Sequence, residues 1–568
     1  MYIDTPVAVP DEPGKVTFRE KAGTVYVYYE YERTYKPEKK YNVAKRATIG
    51  KLVDPDDRSE MYPNDIFARY FPGELPEQRE ESRRSGCLRI GTWLVLRKLA
   101  RELGLPDAVE GILSGAGAGL LMDLAAYSIV TEGNAAQHYP AYAFSHPLFT
   151  DGMRMYSDSK VSDFLYEVGD ERAPAEFLNR WNEGRDHRQR IWVSYDSTNK
   201  SCQAGDIELV EPGHSKDGSG KPVVNCSVAY DRTNSVPLFY EEYPGSIVDV
   251  SQLQMMLERA RAYGYRRCGF ILDRGRFSRA NIAYMDACGY QFVMMVKGLS
   301  DLVDSLVDEV RGTFETKRAC AVTKYRAYGT TLERPLYEGD AKPRWIHVFH
   351  SSEREARKRE LVEQKVMRMA AALAKHEGQR FRMPKGYSRY FEAYWGEDGE
   401  TFLFAREKEG AVERELELCG YFAIVTSEKM TAREALELYK SRDASEKLFT
   451  GSKSFLGGKA LRVHSDESAE GRLFVEFVAM ILRNAMHVAL DARIEEAGKK
   501  ANFMTVPAAI AELEKIEVVR QADGVYRLDH AVTATQKEIL AAFGMDDKTV
   551  KRAARELGAE LESIRKGM

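Results

Sequence analysis

What this 568-residue chain lacks narrows it before any motif is read. It has no basic excess: the formal net charge is −4, so contact with nucleic acid has to rest on local patches. Cys87, Cys202, Cys226, Cys268, Cys288, Cys320 and Cys419 form no CxxC pair, which excludes the usual zinc-ribbon spacing and suits a reducing cytoplasm. The opening MYIDTPVAVPDEPGK has no basic-then-apolar signal pattern. The longest apolar stretch, Gly115 to Val130, is interrupted by Asp123 and too short to span a bilayer. No GxxxxGK[ST] occurs, and SGAGAG at 114–119 is no GxGxxG fingerprint, so no nucleotide cofactor is expected. The expectation is a cytoplasmic protein with no membrane partner, and a hydrophobic content of 44% provides for several domains with real cores.

What is present concentrates in Tyr439 to Lys453, YKSRDASEKLFTGSK. Thr431 and Glu434 make a capping box that starts a helix, and Ala432, Ala435, Leu436 and Tyr439 follow as its inward stripe. The next places on that face are Arg442 and Glu446, so charge stands where a core stripe should continue. Lys453 follows at nearly the same angle if the helix survives Gly451. Inward charge is costly unless it is paired or binds something, which leaves a buried Arg442–Glu446 ion pair or a site. Two further stretches favour the site. Ile191 to Tyr195 (IWVSY) stops at Asp196, and Cys268 to Leu272 (CGFIL) stops at Asp273. Short apolar runs that end in turns read as buried strands, and open α/β sheets bind ligands beyond the carboxyl ends of strands. With Glu446 these make three carboxylates, the oxygen donors of hard divalent cations. Two such ions can clamp the attacking and leaving oxygens of an in-line phosphoryl displacement.

YDST at 195–198, LDRGRFS at 272–278, and Tyr439, Arg442, Glu446 and Lys453 at the spacing Y-x2-R-x3-E-x6-K resemble the DDE transposases of bacterial insertion sequences. The branch is the one defined by its YREK signature, insertion-sequence family four and its close relatives. The last motif is specific, fixing four residue types at three spacings, and its match is complete; the resemblance spans roughly Ile191 to Leu490. It implies an α/β fold with a ribonuclease-H-like catalytic core and a strand-rich insertion. It implies Asp196, Asp273 and Glu446 as catalytic residues and as ligands of two Mg2+ ions, with Mn2+ as a substitute, and Tyr439, Arg442 and Lys453 as DNA-binding residues. It implies double-stranded DNA as the substrate, with terminal inverted repeats cut and joined to target DNA by hydrolysis and transesterification on a homodimer holding paired ends. Related enzymes pass through a DNA hairpin on the transferred element, a hypothesis the motif makes reasonable and the sequence leaves open. The alternatives are a metal-dependent nuclease of the same fold without strand transfer, and a catalytically silent transposase-derived DNA-binding protein.

The chain divides accordingly. Residues 1–85 hold an alternating strand, Thr24 to Tyr35, and a basic segment with Lys36, Lys39, Lys40, Lys45, Arg46 and Lys51, a candidate DNA contact that an exposed hairpin with solvated lysines explains equally. Residues 86–189 are helical, for DNA-end binding, dimerisation or scaffold. Residues 190–297 begin the core: after Ile191–Tyr195 come the polar loop EPGHSKDGSGK, strands over Val223–Tyr230 and Val236–Tyr240, a helix over Gln252–Tyr263, the Cys268–Leu272 strand, a helix over Ser278–Cys288 and a strand over Tyr290–Lys297. The first and fourth of these strands are expected side by side and parallel. Asp196 and Asp273 are 77 residues apart, whereas Asp273 and Glu446 are 173 apart, so 298–430 reads as an insertion domain. It holds strand-like pieces and one charged helix, Ser352 to His376, while His347 and His350, at an odd offset on a strand, read as structural. Residues 431–497 complete the core with the long apolar helix Ser468–Leu490. Lys459, Arg462 and His464 precede it as backbone contacts or a solvated loop. Residues 498–568 are helical and end in a helix, a GMDD turn and a helix at the spacing of helix-turn-helix units.

Overall fold

The alternating run from Thr24 forms one arm of a long hairpin in the computed structural model, which describes residues 2, 6–21, 23–36, 41–74, 84–170, 172–202, 204, 207–213, 220–247, 249–296, 300–340, 342–498, 501–521 and 525–566. Lys39 and Lys40, the Ser215, Lys216 and Asp217 of the polar loop, and Lys297 lie outside the described residues. The chain divides into Met1–Arg83 and Arg84–Met568. In the first unit, β1 (Val7–Ala8), β2 (Val16–Lys21), β3 (Thr24–Lys36), β4 (Tyr41–Asp54) and β5 (Asp57–Pro63) form an antiparallel sheet in the order β1-β5-β4-β3-β2. The Asn64 side chain caps α1 (Asp65–Tyr70), whose Phe67 packs with Val27, Ile49, Leu52 and Met61.

The second unit starts with β6 (Cys87–Arg89) and the helices α2 (Gly91–Glu102), α3 (Leu105–Val109), α4 (Gly115–Thr131), α5 (Tyr139–Ser145), α6 (Asp158–Asp170) and α7 (Ala173–Glu183). The central sheet follows. β7 (Ile191–Cys202), β8 (Val223–Asp231) and β9 (Val236–Pro244) are antiparallel neighbours. After α8 (Asp249–Ala262), β10 (Cys268–Leu272) pairs in parallel with β7; after α9 (Arg279–Cys288), β11 (Gln291–Met295) pairs in parallel with β10. The first and fourth core strands therefore lie side by side, and the register Leu272 to Tyr195 brings the next residues, Asp273 and Asp196, to one level of the sheet.

One strand is longer than its apolar run predicts. β7 continues past Asp196 to Cys202 because β8 goes on pairing with it, and its second half buries Ser197, Thr198, Asn199 and Lys200. Asp196 thus stands mid-strand, where the pairing with β10 ends and that with β8 persists.

The segment expected as an insertion contains α10 (Ser300–Val310), β12 (Ala321–Val322), β13 (Ala327–Arg334), β14 (Arg344–His350), α11 (Ser352–Ala374), β15 (Gln379–Arg380), β16 (Phe391–Trp395), β17 (Thr401–Glu407), α12 (Ala411–Glu417) and β18 (Tyr421–Thr426). Half of it is no separate body: β18 pairs with both β11 and β14, and the sheet runs β12-β13-β14-β18-β11-β10-β7-β8-β9. β15, β16 and β17 form their own small sheet, with Phe391 and Phe402 packed against Val362 and Val366 of α11. His347 is buried between the hydroxyls of Thr331 and Thr426, and His350 meets Glu355; both are structural contacts.

Then come α13 (Ala432–Lys440), α14 (Asp443–Phe455), β19 (Ala460–Leu461) beside β7, and α15 (Asp466–Ala497), 32 residues long. By length and composition α15 passes for a membrane span, but 72% of its apolar window is buried inside the protein. The chain ends in α16 (Val506–Leu513), β20 (Glu517–Arg520), β21 (Tyr526–Leu528), α17 (Ala534–Ala542) and α18 (Asp547–Lys566); β20 pairs with β6, joining the two ends of the unit. Alternation along the sheet separates its faces: Phe270, Leu272 and Phe292 join the main core, whereas Ile271, Val293 and Ile424 pack under Leu436 and Tyr439 of α13.

Candidate active site

The capping box forms as its residues predict: the Thr431 hydroxyl accepts from the Glu434 N–H while Glu434 accepts from the Thr431 backbone. Ala432, Ala435, Leu436 and Tyr439 are buried. The single helix expected through to Lys453 is two. α13 stops at Lys440, Ser441 donates its hydroxyl to the Leu438 carbonyl, and α14 restarts at Asp443, whose carboxylate suits a helix N-terminus. Of the two charges expected to face inward, Arg442 does and Glu446 does not. The Arg442 side chain is 13% exposed, but Glu446 is 50% exposed, so their ion pair faces solvent on one side and is not closed into the core.

Arg442 collects the acidic residues. Its Nη1 is 3.0 Å from Asp273 Oδ1, and its Nη2 donates to Glu446 Oε1. Burial alone would lower the guanidinium pKa, yet Tyr439, Asp273, Asp196 and Glu446 together hold it above its ordinary value. All three predicted carboxylates therefore act electrostatically on one cation. Arg442 also stands 5.5 Å over the Tyr439 ring. Burial, with Asp273 and Glu446 adding to it and Arg442 opposing, pushes the Tyr439 phenol up to about 12.

The scaffold under this cluster is built from contacts between segments far apart in the chain. Ser194, two residues before Asp196 on the same strand face, shares a buried hydrogen bond with Ser445, the neighbour of Glu446, which fastens α14 to β7. Asp273 follows β10 directly and accepts the N–H of Arg274 at 2.7 Å. Deeper in, Lys200 donates to Glu476 of α15 at 2.6 Å and to the Gly458 carbonyl at 2.9 Å, and Ser452 of α14 donates to the same carboxylate. Lys453 lies seven residues beyond Glu446, in the last turn of α14, about 10 Å further along the axis.

The donor chemistry, three carboxylates and no sulfur or imidazole, fits a hard divalent cation. Among the described residues no three His, Cys, Asp or Glu side chains already stand close enough to hold one; the positive charge at Asp273 and Glu446 is that of Arg442.

Two cations that the sequence did not flag belong to the same neighbourhood. Arg274 follows Asp273 and is close enough to influence Tyr439. Arg354, in the first turn of α11, lies over the Phe422 ring at 4.6 Å. Burial lowers its guanidinium pKa, which Tyr439 opposes and Arg274 reinforces. It lines a groove of about 350 Å3 with Arg357, Lys440, Tyr325 and Phe422. No spacing rule links 354 to 439; only the attachment of β14 and β18 to the main sheet brings them together.

Asp196 in β7 and Asp273 just after its parallel neighbour β10 thus stand with Glu446 of α14, a helix fastened to β7. The transposase DDE domain family matches residues 193–482, more than half of the chain and all three carboxylates, and the chain belongs to that family. No curated protein matches the chain. Among solved structures it is similar to piggyBac transposase in its synaptic complex with hairpin DNA, at 8% identity, covering 84% of this chain and 82% of that one, with a TM-score of 0.33.

Proposed function

We propose that this DDE transposase is a metal-dependent enzyme of the YREK branch, with a ribonuclease-H-like core, that cuts the ends of an insertion sequence and joins them to target DNA. The observation that carries this is the gathering of Asp196, Asp273 and Glu446 around Arg442 inside the family's matched span. Asp196, Asp273 and Glu446 would hold two Mg2+ or Mn2+ ions; bound there, such a pair stabilises the attacking and leaving oxygens of an in-line displacement. Arg442, now paired with Asp273 and Glu446, would offer a forked contact to a scissile phosphate. Tyr439 shields the cation from below. Lys453 and the Arg354 groove supply further positive charge along the DNA path. Water breaks the phosphodiester to leave a 3′-hydroxyl and a 5′-phosphate; that hydroxyl oxygen then bonds to a target phosphorus as the target 3′-oxygen departs. Two ends cut together call for a homodimer.

Nicking of supercoiled plasmid in Mg2+ and in Ca2+ tests the site: wild type nicks in Mg2+ only, and Glu446→Gln nicks in neither while binding DNA as before. Equal loss of binding would return Glu446 to a structural ion pair. Transfer of a pre-cut end into plasmid separates transposase from nuclease.

A further inference from the structure

The 23-residue helix α11 turns one narrow stripe to the protein and leaves the rest of its surface in solvent. Val362, Val366 and Leu373 are its buried residues, packed with Phe391 and Phe402 of the small sheet. Half a turn round the helix, Glu360, Leu361, Gln364, Met367, Arg368 and Ala371 share the opposite face at helical spacing, and all six are exposed. Met367, at 70%, is the most exposed large hydrophobic side chain among the described residues, and Leu361 stands at 54%. They lie on either side of Gln364, as in a short apolar seam without its cover. The charges on the face are placed as regularly, with Glu360 one turn before Gln364 and Arg368 one turn after it. The Gln364 amide donates to Glu360 at 3.1 Å, and Arg368 Nε donates to the Gln364 carbonyl at 3.1 Å. Among the described residues neither charge closes an ion pair of its own.

We infer that this face is a contact between two copies of the chain, with the two α11 helices antiparallel about a two-fold axis through Gln364. A contact of a surface with itself has to be self-complementary. This one is: residues equally far before and after 364 come level across the axis, so Glu360 of each copy meets Arg368 of the other and Leu361 meets Met367. Ala371 comes level with Arg357, leaving room for its long side chain. Parallel helices would instead set Glu360 against Glu360 and Arg368 against Arg368, which is repulsive at both levels. Exposed ion pairs add little attraction by themselves, so burial of Leu361 and Met367 supplies the affinity while the charges set orientation and register. The pairing stands on the face alone; that two copies so joined cut two element ends together rests on the transposase reading.

Sedimentation equilibrium of the full chain from about 1 to 100 µM brackets the micromolar dissociation constant that so small a seam allows. Wild type should dimerise; a monomer throughout overturns the proposal. Glu360→Arg alone and Arg368→Glu alone each set like charges level twice, and each should weaken the dimer about tenfold or more. The two together restore opposite charges and should return the dimer to near its wild-type strength, with the circular dichroism spectrum unchanged in all three variants. Unweakened dimers in the single variants, or a double variant no stronger than either, overturn the proposal, because a dimer held elsewhere has nothing for the swap to rescue. Gln364→Cys, on the axis, should oxidise to a linked pair on a non-reducing gel where wild type, with its native cysteines, does not; no link overturns the placing of the axis. Glu446→Gln separates the two readings and should dimerise as wild type does. If it still nicks plasmid, the carboxylate site fails while the pairing stands; if it does not, and the charge swap rescues nothing, only the pairing fails.

Discussion

Two ion pairs, one at each end of α14, have opposite surroundings. Lys200 and Glu476, at 2% and 6% exposure, are closed in by Ser452 and Gly458 between β7, α14 and α15. Arg442 and Glu446 stand at the other end, with Glu446 half in solvent and Asp273 sharing the cation. A buried pair holds elements together and cannot let go of its partner without a large penalty. Arg442 is itself largely buried, and it is the half-exposed carboxylate of Glu446, which gains little from the attraction, that can exchange its partner for a ligand. Charge at an inward-looking sequence position therefore says little until burial is known.

Breaking the open pair should be the larger functional loss. Glu446→Gln is expected to reduce Mg2+-dependent nicking about a thousandfold or more, equivalent to ~4 kcal/mol of barrier, with thermal stability nearly unchanged. Breaking the closed pair should do the converse: Lys200→Met leaves the Glu476 carboxylate buried without its counter-charge, with only the Ser452 hydroxyl on it, and costs about 3–5 kcal/mol in chemical denaturation, and adding Glu476→Leu should recover most of it. If Lys200→Met were neutral, the contrast between the pairs would fail.

A buried titratable group away from both pairs sharpens the point. Burial lowers the His347 pKa to about 4, against about 6.5 when unfolded. The neutral ring is therefore favoured by folding, its contribution is complete above pH 6.5, and up to ~3 kcal/mol is lost as pH falls from 6.5 to 4. His347→Gln should flatten that limb of the stability curve; an unchanged limb would place the acid sensitivity elsewhere. The smallest effect is expected at the helix start, where Thr431→Ala removes one partner of the capping box and costs about 1 kcal/mol in the melting of the protein.

The sheet was legible because its strands bury continuous apolar runs: Cys268–Leu272 and the region of Ile191–Tyr195 announce themselves, and their order makes them neighbours. The second half of β7 was not, since Ser197 to Lys200 have the composition of a loop and are buried only because β8 lies beside them. The break at Ser441 was missed for a related reason: the heptad-like spacing of Tyr439, Arg442 and Glu446 is compatible with one helix, and the competing hydrogen bond from Ser441 to Leu438 carries no signature of its own. The long spacing from Asp273 to Glu446 marked added chain, but its strands joined the main sheet through β18, a pairing that no local pattern encodes.

By itself the sequence determined which side chains this protein has for its chemistry: two aspartates after apolar strands, and a tyrosine, arginine, glutamate and lysine at fixed spacing on helical chain. Those are local facts, set by residue type and by the periods of strand and helix. The tertiary structure alone decided that Arg442 reaches both Asp273 and Glu446, that Lys200 is sealed and Glu446 is open, and that Arg354 arrives beside Tyr439 from a distant segment. Charge changes its meaning with burial, and burial is settled by which elements pack together, a property of contacts far apart in the chain.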